Sequence, residues 1–143
     1  MRKSILYFHL GYPKTASTYL QDKVFTQLDN ILFIGKYNKG TTYWNGNKYK
    51  NKIIDKFHQY CLSYNNEEIE FTKEDRKYLI AYLQKEAKDK DILFSHEKYC
   101  IFLYDLELIL ERFKECLENS FIIKPIIVLR KQDDAIYSIY SMW

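Results

Sequence analysis

The chain has 143 residues and a mass of 17.4 kDa, which suits one domain with a buried core. Its hydrophobic content of 47%, with four glycines and two prolines, argues against disorder. The net charge of +3 is too small to indicate nucleic-acid binding by itself, and no run approaches the ~20 apolar residues of a membrane span. Three cysteines without paired spacing predict reduced thiols in a cytoplasmic protein, not a zinc site or a disulfide framework.

The first predicted element is a strand over residues 4–10, apolar at nearly every position as in a parallel sheet covered on both faces. His9 lies inside this run and is predicted to be a core histidine whose hydrogen bonds are satisfied. Gly11 and Pro13 end the strand, and a helix is predicted over residues 17–28. Its packing residues are expected to be Tyr19, Leu20, Val24 and Leu28.

A second short strand is predicted over residues 31–34 and a loop over 36–47, where Asn, Gly and Thr are frequent. Tyr43 and Trp44 in this loop are interpreted as anchors or as part of a substrate wall. Helices follow at about 48–63 and 72–89. Thr72 is the expected N-cap of the second helix.

The remaining predicted elements are a strand over 91–95, a helix around 106–117, a strand over 125–129 and a helix from 132 to 143. This alternation predicts an α/β fold with three layers and a mainly parallel sheet. Ligands bind such sheets outside the carboxyl ends of the strands. Three predicted strands end in polar groups, which are the loop around Lys14, the cluster Ser95-His96-Glu97, and Arg130.

The loop after the first strand has the chemistry of a phosphate site. Backbone N–H groups at a helix N-terminus attract anions, Lys14 adds a full charge, and Thr15, Ser17 and Thr18 add short donors. A Walker A loop has a glycine directly before its lysine, whereas Pro13 stands there in this chain. A nucleotide or small-molecule kinase is therefore the second hypothesis.

The loop resembles that of sulfotransferases that use 3′-phosphoadenosine 5′-phosphosulfate (PAPS), in particular the bacterial and carbohydrate-type members. The resemblance rests on Pro13-Lys14-Thr15-Ala16-Ser17-Thr18, with Ala16 where glycine is usual, and on Arg130 at a strand end followed by Ser138 eight positions later. It implies a P-loop-like strand–loop–helix. It also implies transfer of a sulfuryl group from PAPS to a hydroxyl or amine, with carbohydrate as the preferred acceptor class.

The resemblance also implies roles for individual residues. Lys14 is expected to stabilise the departing group, and the loop from Pro13 to Thr18, which includes Ala16, is expected to hold the 5′-phosphate. Arg130 and Ser138 are expected to hold the 3′-phosphate. Glu97 or His96 is the expected general base, with Glu97 slightly preferred because a Ser-x-Glu pattern follows this strand in similar members. This chemistry requires no metal.

Members of this family normally continue well beyond the Arg…Ser motif, with further helices and a Gly-rich basic loop. Trp143 is the fifth residue after Ser138. Residues 1–143 are therefore expected to form a single sulfotransferase-like domain that is truncated after the 3′-phosphate motif. A homo-oligomer or a further C-terminal segment is expected to complete the domain, and an inactive remnant is the non-enzymatic alternative.

Overall fold

Five strands form one sheet in the part of the chain that the structure describes. The computed structural model describes residues 2–11, 19–36, 43–44, 51–63, 69–96 and 106–128. The strands are β1 (Ile5–Gly11), β2 (Ile31–Lys36), β3 (Tyr43–Trp44), β4 (Asp91–His96) and β5 (Ile122–Val128). Their order is β3-β2-β4-β1-β5. β2, β4, β1 and β5 run parallel, and only β3 is antiparallel, to β2. An α/β fold with a mainly parallel sheet is thus confirmed.

Three α-helices lie among the described residues: α1 (Lys52–Leu62), α2 (Lys73–Ala87) and α3 (Leu106–Leu117). Each coincides with a predicted helix. Thr72 caps α2 as predicted, because its side chain accepts from the Asp75 N–H while the Asp75 carboxylate accepts from the Thr72 N–H. This reciprocal arrangement satisfies two N–H groups that an uncapped helix would leave without partners.

The core lies between the sheet and the three α-helices. Alternate residues of each strand point to this face, and those of β1 are Leu6, Phe8 and Leu10, all fully buried. The Phe113 ring of α3 stacks on the Phe8 ring at 3.8 Å between centroids and meets the Phe57 ring of α1 edge-on at 4.8 Å. These contacts join α3 to β1 and to α1.

The opposite face of the sheet carries a short helical segment. It consists of a π-helix at Leu20–Val24 and a 3-10 helix at Phe25–Gln27, where a regular helix is predicted over 17–28. Three of the predicted packing residues are exposed, namely Tyr19 (63%), Val24 (36%) and Leu28 (37%). Gln21 is buried instead, and the Phe25 ring packs against Phe33 of β2. The prediction of inward-facing residues was wrong at these three positions.

The sheet differs from the sequence expectation mainly at the start of β5 and at Tyr43–Trp44. β5 begins at Ile122, three residues before the predicted start at 125. Tyr43 and Trp44 pair with Lys36 and Gly35 of β2, so this part of the predicted loop is a short edge strand. The remainder of that loop lies outside the described residues, as does the helix predicted from 132 to 143.

β5 is exposed on both faces. Ile122 and Ile126 on one face and Ile127 on the other are 39–50% exposed. Among the described strands β5 pairs with β1 alone. Because the Ile122 N–H donates to the Ser4 carbonyl oxygen, the backbone nitrogen of every second residue points towards β1, and the nitrogen of Pro125 points to the edge away from β1. A proline there removes a donor that another strand would need.

Candidate functional site

The carboxyl ends of three parallel strands meet at one edge of the sheet. Leu10 near the end of β1 is paired with His96 at the end of β4, and Gly11 is paired with Val128 at the end of β5. β1 lies between the other two strands, and neighbouring strands are ~4.8 Å apart. The sequence-based expectation that these strand ends converge is therefore confirmed.

The described residues on either side of residues 12–18 lie close to this same edge. β1 ends at Gly11, and after residues 12–18 the chain continues with Tyr19, whose backbone is helical. Two residues later the Gln21 side chain donates to Ser95 near the end of β4, with Nε2 and Oγ 3.0 Å apart. Gly11 and Gln21 therefore lie near the ends of two neighbouring strands, β1 and β4.

A buried polar cluster, formed by His9, Gln21 and Ser95, lies just beneath this edge. Each of the three residues is 1% exposed. His9 and Ser95 are direct neighbours across β1 and β4, and their Nδ1 and Oγ atoms are 2.7 Å apart. Ser95 Oγ is thus the shared partner of a strand residue and a residue of the helical segment. Buried polar groups in such number are stable only when they are hydrogen-bonded to one another.

His9 is predicted to be a core histidine, and its burial confirms that. Burial lowers the pKa of its imidazole below the ordinary value, because desolvation penalises the charged form. Its ring lies edge-on to Phe25, with 5.2 Å between centroids. Ser95 thus contacts one of the two ring nitrogens of His9, and the described residues supply no hydrogen-bond partner for the other, Nε2.

Gly35 lets β2 approach this cluster closely. It is paired with Ser95 across β2 and β4. A Cβ atom added at Gly35 would lie 2.7 Å from the Ser95 carbonyl oxygen and 2.6 Å from the Phe33 ring. Since real Cβ atoms do not approach this closely, a larger residue would displace the strand that carries Ser95.

Most of the predicted site residues lie outside the described residues. These are Pro13, Lys14, Thr15, Ala16, Ser17, Thr18, Glu97, Arg130 and Ser138. The backbone of His96 forms the last position of β4, while its side chain is outside the described part. The structure therefore describes the strand ends that precede these residues, and the assigned roles stay predictions.

Among the described residues no group of three or more His, Cys, Asp or Glu side chains is placed to hold a metal ion. Within the same ranges no helix is long and apolar enough to cross a membrane. Cys61 and Cys116 are buried free thiols, as predicted, and Cys100 lies outside the described residues.

Gln21 is the member of the polar cluster that the sequence did not reveal. A polar residue between Leu20 and Val24 looks like the solvent side of an amphipathic helix, and nothing local indicates a partner 74 positions away.

Comparisons of the chain with protein-family models, with curated proteins and with solved structures found no match.

Proposed function

We propose that this chain is a sulfotransferase-type domain that binds PAPS and transfers its sulfuryl group to a hydroxyl or amine, with a carbohydrate as the preferred acceptor. The observation that carries the proposal is the convergence of β4, β1 and β5 at one edge. Each of the three motif segments follows one of these strands in the sequence. This convergence supports a single ligand site built from motifs that lie far apart along the chain.

Chain connectivity limits how far the motif residues lie from that edge. Consecutive Cα atoms are ~3.8 Å apart. Lys14 is the third residue after Gly11, so its Cα lies within about 11 Å of the end of β1. By the same limit Glu97 lies within about 4 Å of His96, and Arg130 within about 8 Å of Val128. Ser138 is too far along the chain to be restricted in this way.

The reaction needs these groups at one place. The acceptor oxygen attacks sulfur while the bond from sulfur to the bridging phosphate oxygen breaks, so negative charge grows on the departing 5′-phosphate. A positioned cation such as Lys14 and the N–H groups of the loop stabilise that charge. The acceptor proton passes to Glu97 or His96 acting as general base, a role worth typically ~10²–10⁴ in rate.

The finer fold assignment belongs to the same proposal. A P-loop-like strand–loop–helix in a three-layer domain is supported by the helical segment that follows residues 12–18 on one face, and by the α-helices on the other. The π-turn at Leu20–Val24, in which the Phe25 N–H donates to Leu20, is a distortion that recurs at functional sites.

Calorimetry with adenosine 3′,5′-bisphosphate, the product form of the donor, tests cofactor binding. Wild type is expected to prefer this ligand to adenosine 5′-monophosphate, because only the former carries the group assigned to Arg130. Lys14→Ala is expected to weaken the binding of both ligands, whereas Arg130→Ala is expected to remove the preference for adenosine 3′,5′-bisphosphate. Lys77→Ala is a matched control, since Lys77 is a 76% exposed lysine on α2. Folded wild type that binds neither ligand would refute cofactor binding by this chain.

Two further measurements separate the alternatives. A kinase with the same strand–loop–helix requires Mg²⁺ and prefers ATP, whereas the sulfotransferase proposal requires a preference for the 3′-phosphorylated nucleotide without metal. An inactive remnant would bind the donor without transferring sulfate to any acceptor. In an active chain, comparison of Glu97→Gln with His96→Asn identifies the base, because only the loss of the base lowers kcat by the factor given above.

A further inference from the structure

The buried polar cluster joins three segments of the chain that meet at the candidate site. His9 lies in the strand before residues 12–18, Gln21 lies in the helical segment after them, and Ser95 lies two positions before Glu97. Ser95 Oγ contacts both of the others, at 2.7 Å to His9 Nδ1 and 3.0 Å to Gln21 Nε2. One hydroxyl group therefore links both ends of the 12–18 segment to the strand that leads to the expected base.

The hydrogen-bonding groups of the cluster are compatible with one another. The Gln21 amide nitrogen donates to Ser95 Oγ, which can accept a second hydrogen bond and also has one proton to donate. Nδ1 of His9 lies at hydrogen-bond distance from the same oxygen. Ser95 donates to Nδ1 when the imidazole proton is on Nε2 and accepts from Nδ1 when the proton is there, so the contact is kept in either tautomer of the neutral ring.

The hydrogen bonds of this cluster fix the relative positions of three chain segments. All three side chains are 1% exposed, so water does not replace a bond that is lost. The partners are separated by 74 and 86 positions in the sequence, and local structure therefore does not hold them together. Removal of the Ser95 hydroxyl breaks both bonds at once, so a buried amide and a buried imidazole lose this partner.

We propose that His9, Ser95 and Gln21 are positioning residues that clamp both ends of the 12–18 segment to the carboxyl end of β4. The clamp fixes the phosphate loop relative to the base that follows β4. It acts through the loop and touches neither donor nor acceptor. This inference rests on the proposed function for its effect on the cofactor, whereas the clamping of the loop is independent of it.

Hydrogen exchange and ligand affinity together test the clamp. Ser95→Ala removes both bonds, and Gln21→Met removes one with nearly the same side-chain volume. Asp91→Ala is the matched control at the opposite end of the same strand, where Asp91 accepts from the Ile5 N–H at 2.9 Å and pairs with Arg2. Backbone exchange over residues 12–24 is expected to rise about tenfold in both cluster variants and to stay unchanged in the control.

The affinity for adenosine 3′,5′-bisphosphate is expected to fall about tenfold in the cluster variants and to stay unchanged in Asp91→Ala. Exchange that is unchanged, or that rises equally in the control, would overturn the clamp. Faster exchange with an unchanged affinity would show that the cluster does not position the site, and would overturn the proposal as well. If wild type does not bind the nucleotide, the proposed function fails, and the exchange comparison alone decides on the clamp.

Discussion

Protonation of His9 is expected to make the protein less stable as the pH falls below about 6.5. The imidazole is 1% exposed, and burial lowers its pKa in the folded state. The unfolded chain therefore binds a proton at a higher pH than the folded one. Stability from this residue is complete above the unfolded pKa of ~6.5 and decreases as the pH falls towards the folded pKa. Between the two pKa values the loss is about 1.4 kcal/mol for each pH unit.

Urea unfolding at several pH values between about 5 and 7.5 measures this loss, with His9→Asn as the comparison. Asparagine keeps a polar group near the position of Nδ1 but does not titrate. His58 and His96 are present in both proteins, so the difference between the two unfolding free energies isolates His9. That difference is expected to shrink by up to about 1.4 kcal/mol per pH unit below 6.5. Parallel curves for the two proteins would refute the reasoning.

Three other outcomes follow from burial. Phe113→Ala is expected to lower the unfolding free energy by about 3–5 kcal/mol in urea titrations, because the fully buried ring contacts Phe8 and Phe57; a loss below about 1 kcal/mol would contradict the packing described. Burial raises the pKa of Cys116 to about 11 and holds that of Cys61 well above its ordinary value. Both thiols should therefore resist alkylation at pH 8 until the protein unfolds, and rapid labelling of either of these two residues in the native protein would contradict this. Ile127→Thr on β5 is expected to change stability by less than about 1 kcal/mol, since the side chain is 50% exposed, and to lower light scattering at high concentration; unchanged scattering would mean that this face does not promote association.

The strands and α-helices were predictable because their side-chain pattern is local. Continuous apolar runs predicted four strands, and the Thr72 cap marked the start of α2 to within one residue. The segment at Leu20–Val24 was not predictable in the same way. A π-turn takes an extra residue for each turn, so the 3.6-residue period that assigned Val24 and Leu28 to the inner face does not apply there.

The candidate site also has one part that the sequence predicts and one part that it does not. A general rule of parallel sheets predicted that the ends of β1, β4 and β5 meet, and this needed only the positions of the strands. The polar cluster could not be predicted, since Gln21 and Ser95 interact through the fold and not through sequence spacing. The early start of β5 at Ile122 has a related cause, because pairing with Ile5 of β1 extends the strand beyond its most apolar part.

The order of the strands leads us to expect that the proposed donor spans the edge of the sheet from β5 to β4. β1 stands between β4 and β5, so Glu97 follows a strand on one side of the Lys14 loop and Arg130 follows a strand on the other. The two flanking strands are about 10 Å apart, and effects of substitutions at that separation usually add. With Glu97 as the base, which is the slightly preferred of the two candidates, Glu97→Gln is expected to lower kcat with little change in nucleotide affinity. Arg130→Ala is expected to lower the affinity with little change in kcat at saturation. The double variant should combine both losses. Strong non-additivity would mean that the two residues act on the same group, and would refute a donor that spans the edge from β5 to β4.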